Sequence, residues 1–175
     1  MYKKRMRGFT LMESLIALAV AGAGIALVAT GAEDARQARL VDKAVANIRY
    51  MQQKTKETWF ESHQYSYLGI NASAAMDAGI VPEEMKNGAS IKNVFGGGVD
   101  LFPVGGNSAV LAIRATNVPQ WACERIVTGV AMNNPWVKVN AAWLRTPLLN
   151  VNGIPSSLVT TNCAPATNTI EVYGG

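Results

Sequence analysis

Residues 14–32 of this chain contain no charged side chain, and the apolar run to which they belong begins at Phe9. About 20 consecutive apolar residues span the hydrocarbon core of a bilayer. A run of that length is committed to lipid, or to the interior of something larger than one small domain. One acid, Glu13, interrupts it near its start, and Lys3, Lys4, Arg5, Arg7 and Gly8 precede it. Burying a carboxylate at that depth costs about 3 kcal/mol, which makes Glu13 a candidate functional residue. The flanking cations leave the amino terminus in the cytoplasm and send the remainder across the membrane. A secretory signal peptide is the competing reading. It fits less well, because Val28-Ala29-Thr30-Gly31-Ala32 is only loosely a cleavage site, and because such peptides are shorter and do not usually carry glutamate.

The run does not end in a turn. Helix formers continue through residues 33–39, and no proline occurs before Pro82. Ala38, Val41, Val45, Ile48, Gln52, Thr55 and Trp59 then recur at alternating three- and four-residue steps, the spacing of one helix face. The pattern predicts one helix over residues 10–61, apolar all round in its first half and amphipathic in its second. At 1.5 Å per residue it is roughly 75 Å long. A small globule cannot enclose that length, so the apolar half is expected to protrude into lipid or into other copies of the chain.

Beyond the helix the punctuation changes. Residues 71–78 predict a short helix capped by Asn71 and stopped by Gly79, residues 82–86 another turn, and Gly96-Gly97-Gly98 a break. Residues 99–102 and 109–113 read as strands flanking a hairpin at Gly105-Gly106-Asn107. Pro119 is placed in the first turn of a helix whose buried face holds Ala122, Cys123, Ile126, Val127 and Val130, with Asn134-Pro135 as its end. Residues 136–139 and 169–173 read as strands. Residues 144–166, rich in Pro, Asn, Ser and Thr, read as loop with room for one short strand. The fold class expected is α+β: a long amino-terminal α-helix packed on an antiparallel β-sheet.

Of the sixteen Lys and Arg, four lie in the first eight residues. Without those residues, twelve remain against twelve Asp and Glu, so nucleic-acid binding through a basic surface loses its support. Cys123 and Cys163 are the two cysteines, and an even pair in an exported domain points to one disulfide. A metal set built from them and the single His63 is a poor alternative, with no CxxC and no fourth ligand. No nucleophile elbow, P-loop or HExxH occurs, so no catalytic residue and no cofactor is expected. His63, Tyr65 and Tyr67 read as packing at the helix end; Trp121, Trp136 and Trp143 read as core or subunit contacts.

Arg5-Met6-Arg7-Gly8-Phe9-Thr10-Leu11-Met12-Glu13-Ser14 resembles the leader and mature start of a type IV prepilin. The resemblance implies cleavage after Gly8 by a prepilin peptidase, which tolerates no side chain there, and methylation of the new amine on Phe9. Glu13, one helical turn on from that amine, is expected to pair with the amine of a neighbouring subunit and set the axial stagger. Gly22, Gly24 and Gly31 weaken the helix. Many pilins have proline at the position of Thr30, so any unwinding here depends on glycine. Phe102-Pro103, Asn107-Ser108-Ala109, Ala112-Ile113, Cys123 with Ile126-Val127-Thr128, and Trp136-Val137-Lys138-Val139 resemble the body of type IVb pilins, such as the subunits of the toxin-coregulated pilus and of thin conjugative pili. That implies a central last strand and a disulfide-bounded region exposed on the fibre. The short leader and the phenylalanine start are commoner in type IVa.

The organisation expected is a leader over 1–8, a transmembrane and assembly half-helix over 9–32, an amphipathic half over 33–62, and a head over 63–175 with the disulfide-bounded region 123–163. The function implied is a non-enzymatic subunit that polymerises with identical copies into a surface filament for adhesion, aggregation or mating contact. It would pass through the inner membrane as a precursor and engage the prepilin peptidase and the pilus assembly machinery. A type II secretion pseudopilin or a minor pilin is the alternative. A single-pass membrane-anchored binding domain, which would retain residues 1–8, is a third.

Overall fold

The computed structural model describes residues 11–63, 65–105, 109–146 and 153–174; the side chains of Leu11, Glu13, Ile16, Ala17 and residues 19–30 lie outside that description. The chain divides into two compact units at Ala38 and Arg39. Helix α1 is Leu11–Thr55. In the first unit its described apolar side chains face outward: Met12 is 73% exposed, Leu15 60% and Leu18 70%. Glu33 and Arg36 pair on its surface at 3.7 Å.

In the second unit α1 buries Val41, Ala44, Ile48, Met51 and Thr55. This face is rotated from the expected one. It keeps positions 41, 48 and 55 but takes Ala44 and Met51 in place of Val45 and Gln52, which are only half-buried. Gln52 is instead drawn to the rim, where its amide donates to Asn134 Oδ1 at 2.7 Å. The helix loosens at its end into a π-helical turn, Lys56–Phe60. Hydroxyls compete there for the carbonyls: Thr55 Oγ1 donates to Met51 O at 2.5 Å and Thr58 Oγ1 to Lys54 O at 2.6 Å.

Helix α2, Ala72–Asp77, is capped by Asn71, whose side chain accepts from Ala74 N. A single 3₁₀ turn, Glu83–Met85, leads into the sheet. Its strands are β1 (Lys86–Asn87), β2 (Ser90–Lys92), β3 (Gly98–Val104), β4 (Val110–Pro119), β5 (Trp136–Val139), β6 (Ala142–Arg145) and β7 (Thr167–Gly174). Their order is β1-β2-β3-β4-β7-β5-β6 and every neighbour is antiparallel. Leu101, Ile113, Val172 and Val137 stand opposite one another in successive strands and are buried with the α1 face in one core.

Helix α3, Gln120–Ala131, buries the residues its spacing predicts and also Ala131. Pro119 is not in its first turn. It ends β4, paired with Thr167, and precedes the helix with extended backbone. Gly129 lets α3 approach α1, since a Cβ there would lie 3.0 Å from Val45 Cγ2. The stretch 144–166 departs most from expectation, because it contains helix α4, Ser156–Asn162. Only Val159 of α4 is buried, too little periodicity to mark a helix in a Ser- and Thr-rich stretch.

Candidate functional site

Gly8 and Phe9 lie outside the described residues. Glu13 belongs to α1, and its side chain also lies outside them. Among the described residues no helix is long and apolar enough to cross a membrane, and most of the side chains over 16–30 that bear on this are not among them. What is described of this segment is an α-helix with outward-facing Met12, Leu15 and Leu18. Exposed apolar side chains spaced by three on a helix form one continuous stripe, and such a stripe is stable only when something covers it.

Cys123 and Cys163 are joined, with Cα atoms 5.7 Å apart and a separation of 40 in sequence. Both are buried, Cys123 in the first turns of α3 and Cys163 as the carboxyl cap of α4. The bond therefore ties the seven-residue α4 to the core through α3. On the chain-entropy model, closing a loop of this length contributes about 4 kcal/mol. Among the described residues no group of three His, Cys, Asp or Glu is placed to hold a metal ion. His63 stacks on Trp59 with ring centroids 4.1 Å apart, and its Nδ1 lies 2.9 Å from Trp59 O, so it does pack the helix end. Tyr67 is buried against Phe60, whereas Tyr65 is exposed. Trp121 and Trp143 are on the surface rather than in the core.

The sheet face opposite the core carries a polar network that the sequence did not announce. Arg114 of β4 and Lys138 of β5 stand opposite Glu171 of β7 in register. Arg114 Nε donates to Glu171 Oε1 at 2.8 Å, Lys138 Nζ lies 3.4 Å from Oε2, and Tyr173 donates its hydroxyl to the same carboxylate. Glu171 is only 7% exposed. Burial alone would raise its pKa, but the bonds from Tyr173 and Arg114 and the two positive charges outweigh it and hold the carboxyl below its ordinary range. Phe102 lies under the Arg114 guanidinium at 4.8 Å, and Trp143 lies 5.7 Å from Lys138 Nζ. The alternation in Thr169-Ile170-Glu171-Val172-Tyr173 was the available signal for a second, outward face of β7.

A seven-stranded antiparallel sheet with a long amino-terminal helix is a fold this chain shares with solved type IV pilins. Two solved structures share the fold. TcpA, a type IV pilin from Vibrio cholerae El Tor biotype, is 16% identical, with 78% of this chain and 99% of that one covered and a TM-score of 0.59. The type IVb pilin from Salmonella typhi is 19% identical, with 74% and 95% covered and a TM-score of 0.56. Residues 38–173 match the family described as PilS N terminal, and the chain belongs to that family. Residues 3–29 match the prokaryotic N-terminal methylation motif. No curated protein matches the sequence.

Proposed function

We propose that the chain is made as a membrane-held precursor, cut after Gly8, methylated at Phe9, and polymerised with identical copies into a type IV filament on the cell surface. The observation that carries this reading is the methylation motif over residues 3–29, continuous with the helix that enters a pilin head. Residues 1–8 are the leader, 9–32 the membrane and assembly half of the helix, 33–62 its amphipathic half, and 63–175 the head. Before assembly the apolar half sits in the inner membrane. In the filament it is covered by the same half of other copies, so that apolar surface never meets water. A prepilin peptidase and an assembly machinery are the partners this route requires. The disulfide-bounded region 123–163 favours a pilin over a secretion pseudopilin.

Glu13 supplies the register. The Phe9 amine of one copy enters the apolar interior with its charge compensated by Glu13 of a neighbour, and an uncompensated charge there costs several kcal/mol. Glu13→Ala is expected to leave cleavage and the head intact while filaments are lost or sharply reduced; Glu13→Asp falls between. Electron microscopy of surface filaments beside immunoblots for the cut form checks this. Normal filaments from correctly processed Glu13→Ala would refute the register role.

A further inference from the structure

At the edge of the head, between α1 and the end of α3, lies a cleft of about 420 Å³. That is within the range of small-molecule sites, about 300–1,000 Å³. Arg49 lines it from α1, Lys56 from the π-helical turn that follows, Asn133 and Asn134 from the residues after α3, and Tyr67 and Leu111 also line it. No described carboxylate lines it. Glu57, the residue after Lys56, accepts from Gln53, which lines the cleft, at 2.8 Å and pairs with Lys54 at 3.2 Å.

The rim is braced. Arg49 Nη2 donates to Gly129 O at 2.7 Å, which fixes the guanidinium and leaves its other N–H groups free to turn to the cleft. Asn134 accepts from Gln52 and donates to Val130 O, both at 2.7 Å. Lys56 makes no ion pair among the described residues. Tyr67 is 1% exposed. Burial pushes the Tyr67 pKa up, so it remains an O–H donor at physiological pH.

We infer that this cleft is a binding site for an acidic sugar, with Lys56 and Arg49 taking the carboxylate and Tyr67, Asn133 and Asn134 meeting hydroxyls. Two cations with no described carboxylate lining the same cleft call for a single anionic group. Carboxamides both donate and accept, which matches hydroxyls and not a bare anion. The volume exceeds what one inorganic anion fills. Surface saccharides, on a host or on a neighbouring cell, carry this chemistry at the distances a filament reaches.

The test uses the full chain in detergent micelles and needs no filament, so it stands or falls apart from the assembly reading. D-glucuronate, D-glucose and inorganic phosphate are titrated by calorimetry and by NMR of the Tyr67 ring signals. Glucuronate is expected to bind and shift those signals, with glucose and phosphate each at least about tenfold weaker. Lys56→Gln is expected to weaken glucuronate about tenfold, and Tyr67→Phe, which keeps the buried ring, severalfold, with thermal unfolding of both close to wild type. Glucuronate binding no tighter than glucose would overturn the site. Phosphate binding equally well would reduce it to an anion patch and overturn the sugar class. Wild-type affinity in both variants would place any binding elsewhere.

Discussion

Glu171 holds its carboxylate between cations from two neighbouring strands and a tyrosine of its own strand. Because its pKa is lowered by folding, the stability it contributes is present above the ordinary carboxylate range and is lost as pH falls through the folded value. Tyr173 works at the other end. Burial and the Glu171 charge raise its pKa, so stability is held below the ordinary tyrosine value and declines above about pH 10. Glu171→Gln is therefore expected to cost about 1–3 kcal/mol at neutral pH and to flatten the acid limb of the stability profile. Denaturant unfolding from pH 3 to 8 measures both. An unchanged acid limb would mean that other carboxylates govern it. This network was illegible beforehand, because Arg114 and Glu171 are 57 residues apart and become neighbours only once β7 is known to lie beside β4. Cys123 and Cys163 were legible because oxidation in an exported chain leaves two cysteines one partner each.

The turn between β5 and β6 shows how an element departs from what its residues prefer. Val139 pairs with Ala142, so Asn140 and Ala141 alone make the turn, with φ of 48° and 75°. That is the left-handed region, at home for Asn but strained for Ala by about 1–2 kcal/mol. Asn140 also donates to Asn162 O and to Asn168 Oδ1 and accepts from Thr169 N, so the turn is pinned to α4 and β7. Ala141→Gly should stabilise the protein by about 0.5 kcal/mol net of glycine's larger unfolded-state entropy, read as a small rise in melting temperature. Gly97→Ala should act the opposite way. A Cβ there would lie 1.9 Å from Thr116 O, at the bulge where β4 shifts register and Asn93 clamps the strand through Thr116 O. A loss of about 2 kcal/mol or more is expected by the same melting measurement. The long helix, α2 and α3 were readable from period and caps. The rotation of the α1 face was not, since Ala44 and Met51 gain burial only from the shape of the sheet beneath them. Short strands β1 and β2 and helix α4 were missed because each takes its stability from neighbours rather than from its own pattern.

At the scale of the molecule, the function proposed above gives the two units two jobs, cohesion of the head and attachment to other copies. Removing residues 1–35 is expected to leave a soluble, folded monomer, because among the described side chains of α1 the buried ones begin at Val41. Size-exclusion chromatography and circular dichroism check this, and an aggregated or unfolded product would show that the head needs the apolar half. Cys123→Ser with Cys163→Ser should lower stability by about 4 kcal/mol and reduce the amount of head that survives export, without altering cleavage after Gly8. One consequence of the strand order concerns the sequence of synthesis. β7 lies between β4 and β5, yet it is made after both. Without β7 the sheet would be two ribbons, β1 to β4 and β5 to β6, whose facing edges would expose unpaired N–H and C=O groups, the kind of edge that recruits stray strands. A partly delivered copy thus advertises its own incompleteness with two adhesive edges, and a single insertion silences both at once.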